Sequence, residues 1–205
     1  MKIVFDTKEY LEKAWDIVEQ INIDGSIATQ LKGAMLYSTL NICDAMQLLI
    51  QKSNFVSANI LFRSMLEYLF RAYWLNRIAS DEEVLETIKE DNWPKTKSLH
   101  QLISGKNQLI DLLAREKIKI QDILNSYTHG GAQNPLAQLG SGRHIEPNIP
   151  ESEITYLLTM VQLNIYIILF EMAHLSGSNE LEIEIEIEIM KIVDEVMDVN
   201  IIERS

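Results

Sequence analysis

The stretch that decides the fold is residues 61–75, which reads Leu61-Phe62-Arg63-Ser64-Met65-Leu66-Glu67-Tyr68-Leu69-Phe70-Arg71-Ala72-Tyr73-Trp74-Leu75. As a helix, this stretch is apolar around most of its circumference. A helix of that kind belongs in the centre of a bundle, because a surface helix carries its apolar side chains on one stripe. We therefore predict a central helix over roughly 55–79, capped by Asn54.

The chain on either side of this helix is also dominated by helical patterns. Asp6 and Glu9 suggest a capping box for a first helix that runs to about residue 20, and Ser26 caps a second helix that runs to about residue 52. Further helices are predicted over 80–91, 98–117 with a break near Gly105, 119–128, and 152–175 with Gly177 after its end. These patterns predict an all-α, single-domain bundle of about seven or eight helices over residues 1–205, with its core in 7–176 and a C-terminal segment in 178–205.

The C-terminal segment carries an ambiguous pattern, because aliphatic residues (Leu181 and then isoleucines) alternate strictly with glutamate over residues 181–189. Alternation is typical of a strand with one buried face, and residues 2–5 offer a partner for a short strand pairing with the N-terminus. The helical interpretation places Ile185, Ile189 and Ile192 on one stripe. We favour the helix and keep the strand pairing as an alternative.

Composition narrows the class of protein. The 205 residues carry a formal net charge of −12, which repels nucleic acid overall, so a nucleic-acid role requires a local cluster of arginines. The same acidic surface suits a basic protein partner. One cysteine, Cys43, excludes an internal disulfide framework and a cysteine-cluster metal site.

The apolar window over residues 154–175 is interrupted by polar side chains, among them Gln162, Asn164 and Glu171. These interruptions indicate a buried helix rather than a membrane span. The N-terminus lacks the long apolar stretch of a secretion signal. We therefore expect a cytoplasmic protein that has no membrane partner. Long helices rich in methionine and isoleucine are also compatible with a homodimer.

Arg63, Glu67 and Arg71 recur every four residues, so they stack on one face of the central helix. Burying charges in apolar surroundings costs several kcal/mol per ion unless they are paired. The two arginines exceed the one glutamate, which makes this face a candidate receptor for a phosphate or carboxylate. The alternative is a structural network in which Glu67 bridges the arginines and fixes the register of the helix.

The segment Ser126-Tyr127-Thr128-His129-Gly130-Gly131 is the second candidate. His129 suits proton transfer near neutral pH, and Tyr127, Thr128 and Gln133 beside it are candidate ligand-binding residues. The alternative is a helix C-cap in which Gly130 supplies the left-handed residue. No His-x3-His, no His-x-x-Glu-His and no pair of Asp/Glu-x-x-His spacings is present, so we expect no metal site and no cofactor.

These two motifs, together with Asn92-Trp93-Pro94, resemble an uncharacterised family of bacterial all-helical proteins over roughly residues 55–135. More distantly, the acidic bundle with an inward arginine and a histidine resembles HEPN-domain proteins. That resemblance implies a metal-independent RNase of a toxin–antitoxin or phage-defence system. The HEPN signature has four to six residues between an arginine and a histidine. This chain departs from it, because Arg115 is too far from His129 and Arg143 is adjacent to His144.

Two functions follow as hypotheses, and whether the protein is an enzyme stays open between them. In the first, Arg63 and Arg71 hold the scissile phosphate of an RNA substrate, Glu67 orients them, and His129 transfers a proton. In the second, the protein is a non-enzymatic antitoxin, immunity protein or other binding module whose acidic face docks a basic protein partner.

Overall fold

The computed structural model describes residues 2–140, 144–188 and 190, and the apolar stretch 61–75 lies inside its central helix. The described residues form ten helices: α1 (Lys2–Gln20), α2 (Ile27–Gln51), α3 (Phe55–Arg77), α4 (Asp81–Glu90), α5 (Thr96–Ile103), α6 (Gln108–Lys119), α7 (Gln121–Thr128), α8 (Gln133–Leu136), α9 (Glu151–Ser176) and α10 (179–188). They contain no β-strand, although a single backbone bridge joins Leu139 and Ile145. The all-α prediction is confirmed.

The helix α3 packs against α2, α5, α6, α7 and α9. Its buried side chains fill the centre of the bundle, with Phe62, Met65, Leu69 and Phe70 each at most 1% exposed. The helix α9 is buried on most of its circumference and packs against α1, α2 and α3. The polar residues of α3 therefore lie on a face that the shorter helices α5, α6 and α7 partly cover.

The predicted helix signals match the structure at several ends. Ser26 accepts a hydrogen bond from the Thr29 amide, and Asn54 accepts one from the Ser57 amide. Gly105, with φ +71°, lies in the break between α5 and α6, because a left-handed residue cannot continue a helix. Gly177 ends α9 in the left-handed region, as predicted.

Two expectations at the ends of the chain are corrected. The helix α1 begins at Lys2 rather than after Asp6, because Ile3 and Val4 pack against the core and extend the apolar face of the helix. The strand alternative for 181–189 is wrong over 181–188, which are helical. The helix buries Ile185 to 3% exposure, and the proposed pairing segment 2–5 is itself helical. Ile189 and Ile192 lie outside the described residues.

The helix α9 is long and apolar enough to cross a membrane by length and composition alone. However, 72% of its most apolar window is buried inside the bundle. The core helix of a soluble protein meets the same two criteria, so this helix is weak evidence for a membrane span.

Candidate functional site

The polar face of α3 begins with Arg63 and Glu67, one helical turn apart. The Arg63 Nε donates to Glu67 Oε1 at 3.2 Å, and Arg63 Nη1 donates to Asn125 Oδ1 of α7 at 2.9 Å. The Arg63 side chain is 32% exposed and the Glu67 side chain 29% exposed. Arg63 is therefore anchored between two helices and is still reached by solvent.

Lys117 of α6 completes the contacts of Glu67. Its Nζ donates to Glu67 Oε1 at 3.4 Å and lies 5.6 Å from the centre of the Phe70 ring, while its side chain is only 6% exposed. Sequence reasoning missed this residue. The signal was present, because Ile110, Leu113 and Lys117 follow the helical spacing of one buried stripe on α6.

Arg71 lies two turns beyond Arg63 on the same face of α3. Its guanidinium lies 5.0 Å from the centre of the Trp93 ring, and the Trp93 indole donates to Asp91 Oδ1 at 3.0 Å. Among the described residues, no side chain or carbonyl accepts a hydrogen bond from Arg71. The aromatic ring therefore orients the guanidinium and leaves its N–H donors for solvent or a ligand.

We call Arg63, Glu67, Arg71 and Lys117 the α3 cluster. Burial lowers the pKa of Lys117, and the positive charges of Arg63 and Arg71 lower it further, against the opposing effect of Glu67. Burial raises the pKa of Glu67, but Lys117 and Arg63 outweigh it and the net pKa is lowered. The positive charges of the three basic residues are thus close enough to influence one another, and Glu67 is the one carboxylate in the cluster.

His100 of α5 lies at the edge of the α3 cluster. Its ring packs edge-on against Phe70, with 5.2 Å between the centroids, so His100 and Lys117 contact the same aromatic ring. Its Nε2 is buried and has no hydrogen-bond partner. Burial lowers the pKa of His100, and the charge of Lys117 lowers it further, against Glu67. The imidazole is therefore neutral at pH 7.

His129 has a different environment, at the exposed C-terminal end of α7. Gly130 follows it with φ +69°, and the Gly131 amide donates to the Ser126 carbonyl at 2.6 Å, which is the hydrogen bond of a helix C-cap. A Cβ on Gly131 would lie 2.5 Å from Ser126 Oγ, so this tight turn requires glycine. The two glycines are thus explained by the cap.

The direction of α7 separates His129 from Arg71. Asn125 pairs with Arg63, whereas Tyr127, further along α7, shares the Glu153 carboxylate with Asn59, one turn before Arg63 on α3. The helix α7 therefore runs towards the N-terminal end of α3, away from Arg71. His129 lies one turn beyond Asn125, about 6 Å further along the helix axis. The structure brings Arg63, Glu67 and Arg71 to one cluster. It leaves His129 beyond the Arg63 end of this cluster, on the side away from Arg71.

Tyr127, Thr128 and Gln133 lie next to this cap. Tyr127 is buried, and burial together with the neighbouring Glu153 raises its pKa to about 12. Thr128 Oγ1 donates to the Leu124 carbonyl at 2.8 Å, and the backbone N–H of Gln133 donates to Ser126 Oγ at 3.2 Å. These contacts hold α7 and α8 together, and the ligand-binding role of the three residues stays a prediction.

A second ion pair, which sequence reasoning also missed, joins α3 and α9. The Glu171 carboxylate is 1% exposed and accepts from Arg77 Nε at 2.7 Å and from Asn76 Nδ2 at 2.6 Å. It forms part of a cleft of about 630 Å³ that His174 and Glu182 also line. The carboxylates of Glu171 and Glu182 balance the two basic side chains of the lining, Arg77 and Lys106, so this cleft has less surplus charge to offer a ligand than the α3 cluster has.

Within the described residues, no group of three histidine, cysteine, aspartate or glutamate side chains is arranged to hold a metal ion. The α3 cluster instead consists of positively charged side chains around one carboxylate. Such a set of donors suits an anion.

Fold and site together define an all-α bundle with a half-buried, positively charged cluster on its central helix. The chain belongs to a family of unknown function, DUF6988, whose model matches residues 38–196. The match includes α3, α5, α6 and α7 and therefore every residue of the α3 cluster. No curated protein and no solved structure gives a significant match to the chain.

Proposed function

We propose that the α3 cluster binds RNA phosphate, and that the protein is a HEPN-like member of a bacterial toxin–antitoxin or phage-defence system. The observation that carries this proposal is Arg71, whose guanidinium stacks on Trp93 and has no protein acceptor among the described residues. Arginine held in this way presents its planar set of donors to a phosphate.

The charge of the cluster supports a phosphate ligand. Lys117 is buried, and Arg63 and Arg71 act on it, with Glu67 as the one carboxylate among them. The whole chain carries −12, so this cluster is a positive region on an acidic protein. Salt at 0.1 M screens charges that are more than about 10 Å apart. The distant acidic residues therefore weaken the binding of an anion at the cluster far less than the net charge of the whole chain suggests.

The proposed chemistry is RNA cleavage without a metal ion. The 2′-hydroxyl of the substrate would attack the adjacent phosphorus, His129 would accept its proton, and the bond to the 5′ oxygen would break. The 5′ oxygen leaves as a hydroxyl with a proton from water, and the other product is a cyclic phosphate. Arg63, which Glu67 and Asn125 hold in place, would stabilise the developing negative charge on the side of His129, and Arg71, at the other end of the cluster, would hold another phosphate of the same RNA.

The test compares two arginine variants in one RNA-binding assay. Arg71→Gln removes a charge from the α3 cluster, and Arg115→Gln removes a charge from an exposed position of α6, two residues before Lys117. We expect Arg71→Gln to weaken the binding of single-stranded RNA by about tenfold, the value of one charge-assisted contact, and Arg115→Gln to leave it near the wild-type value. Equal effects of the two substitutions would contradict a local site.

Cleavage is tested separately, with EDTA present and the products analysed for cyclic phosphate ends. We expect wild type to produce them and His129→Ala to lose most of that activity. RNA that binds but stays intact would remove the enzymatic part of the proposal and leave the binding part.

A second candidate function rests on α10, which exposes an apolar stripe. Ile183 and Ile187 of α10, and Met190 two residues beyond it, are each more than half exposed and follow helical spacing. The exposed Glu184 and Glu186 flank them. An acidic amphipathic helix face fits a basic amphipathic partner and repels a second copy of itself. This binding module would retain a basic protein whose affinity falls steeply with salt, and salt-independent binding would contradict the electrostatic part of the account.

A further inference from the structure

We infer that the α3 cluster selects a phosphomonoester, the doubly charged group at the end of an RNA chain or on a nucleotide. A phosphodiester inside the chain would bind it less well. This inference rests on the binding part of the proposed function, because it specifies which phosphate Arg71 and Lys117 take. The scissile phosphodiester of the cleavage step would lie at the Arg63 end of the cluster, towards His129.

The charges of the cluster carry the inference. Arg63, Arg71 and Lys117 contribute three positive charges and Glu67 one negative charge, so the net charge is +2. His100 faces the cluster from α5 and is neutral at pH 7. Asp91 lies at the outer edge, where it accepts from the Trp93 indole and is exposed to solvent. A phosphomonoester carries roughly −1.5 to −2 at pH 7, whereas a diester carries a single charge, so the monoester neutralises the cluster more completely.

The N–H donors of the cluster that have no protein acceptor also favour a monoester. Arg63 has committed its Nε to Glu67 and its Nη1 to Asn125. Arg71 has no acceptor among the described residues, and Lys117 donates one long hydrogen bond, of 3.4 Å, within this part of the chain. A monoester has one more free oxygen than a diester, and it can accept from both Arg71 and Lys117 without displacing the bonds of Arg63.

The buried wall of the cluster holds one further unpaired atom. His100 Nε2 has no hydrogen-bond partner, and the ring of His100 contacts the same Phe70 ring as Lys117. Buried polar atoms without a partner are rare in folded proteins, so each one calls for an explanation. A ligand oxygen that reaches Lys117 beside Phe70 supplies such a partner.

The experiment uses one short single-stranded oligoribonucleotide, labelled at its 3′ end and prepared with either a 5′-phosphate or a 5′-hydroxyl. Fluorescence anisotropy gives the dissociation constant of each form with the full-length protein. We expect the phosphorylated form to bind about tenfold more tightly, which is the ratio that one additional charge-assisted contact gives. Unlabelled inorganic phosphate should compete with it, and dimethyl phosphate, a singly charged diester, should compete far less.

Variants tie the preference to the cluster. Arg71→Gln should abolish most of the difference between the two oligonucleotides, Arg71→Lys should restore part of it, and Arg115→Gln should leave it intact. Circular dichroism shows whether each variant is folded. If Arg71→Gln does not fold, Arg71→Lys takes its place in the test.

The outcomes separate the inference from the proposed function. Equal affinity for the two oligonucleotides, both weakened by Arg71→Gln, would overturn the selectivity and leave phosphate binding standing. Failure of both oligonucleotides and of inorganic phosphate to bind would overturn both. A preference for the 5′-phosphate that survives Arg71→Gln would place the monoester site elsewhere and also overturn the inference.

Discussion

If the charges of the α3 cluster serve a ligand rather than the fold, removing Lys117 should cost the protein little stability. Lys117→Met keeps a long, unbranched side chain that fills the same space against Phe70. Glu67→Gln keeps the shape of its residue and removes the negative charge that pairs with Lys117. The two substitutions remove the opposite ends of one ion pair, and we expect them to have unequal effects on the free energy of unfolding.

The magnitudes follow from the geometry. At 3.4 Å, and with an effective dielectric constant of about 20, the attraction between Lys117 and Glu67 is about 5 kcal/mol. Burial of a side chain that is 6% exposed costs several kcal/mol for its charge. Repulsion from Arg63 and Arg71 also opposes the attraction. These contributions nearly cancel, so Lys117→Met should change the stability by less than about 1 kcal/mol or raise it by about 1–2 kcal/mol.

Glu67→Gln should be more damaging, because it leaves Lys117 buried beside two arginines and without a carboxylate. Breaking a buried pair in this way costs about 3–5 kcal/mol, and since the Glu67 side chain is 29% exposed we expect about 2–4 kcal/mol here. The pH dependence of this variant gives an independent check. The folded-state pKa of Lys117 is lowered from its ordinary value of 10.5. At pH values between the folded-state pKa and 10.5, the unfolded chain therefore binds more protons than the folded chain, and stability rises with pH. The Gln variant should therefore regain stability as the pH rises towards 10.5.

Urea denaturation followed by circular dichroism measures these effects, and urea is preferable to guanidinium because it leaves ion pairs unscreened. A Lys117→Met protein that loses as much stability as Glu67→Gln would refute the reasoning. That result would make the ion pair a structural element of the fold. A Glu67→Gln protein as stable as wild type would show that solvent already satisfies Lys117.

Three further predictions concern other parts of the bundle. Gly131→Ala should lower the free energy of unfolding by about 1–3 kcal/mol, because the new Cβ meets Ser126 Oγ at 2.5 Å, and a urea titration measures the loss. His100 should titrate below 6.5 in an NMR pH series and shift upwards when phosphate is added, because an anion offsets the charge of Lys117. An unliganded value at or above 6.5 would contradict its described environment. Glu171→Gln should cost about 3–5 kcal/mol, since the carboxylate is 1% exposed and its arginine partner would lose its counter-ion, whereas Glu184→Gln on the surface should cost almost nothing.

Local patterns were enough to predict most of the fold. The stretch around Phe62 and Phe70 has no polar stripe wide enough for a surface helix, and α3 is indeed the helix that most others contact. Ser26, Asn54 and Gly177 end or begin helices through side-chain or backbone geometry that acts within one turn. The tail 181–188 was harder, because the same alternation suits a strand and a helix, and burial of Ile185 against other helices decides between them.

The candidate site was predicted only where its residues lie on one helix. Arg63, Glu67 and Arg71 follow from spacing alone, whereas the contacts of Lys117 and His100 with them depend on how α5 and α6 pack against α3. Lys117 was nevertheless detectable as a charged residue on the buried stripe of its helix. The pairing of Arg71 with His129 could not be judged from sequence, because it depends on the direction in which α7 crosses α3.

The most direct test of the phosphate site is isothermal titration calorimetry of inorganic phosphate at low salt into wild type, Lys117→Met and Arg115→Gln. The structure predicts saturable binding at a single site in wild type and in Arg115→Gln, and at least about a tenfold loss of affinity in a folded Lys117→Met protein. Phosphate binding of equal strength to all three proteins, or to none of them, would contradict the assignment of the α3 cluster as an anion site.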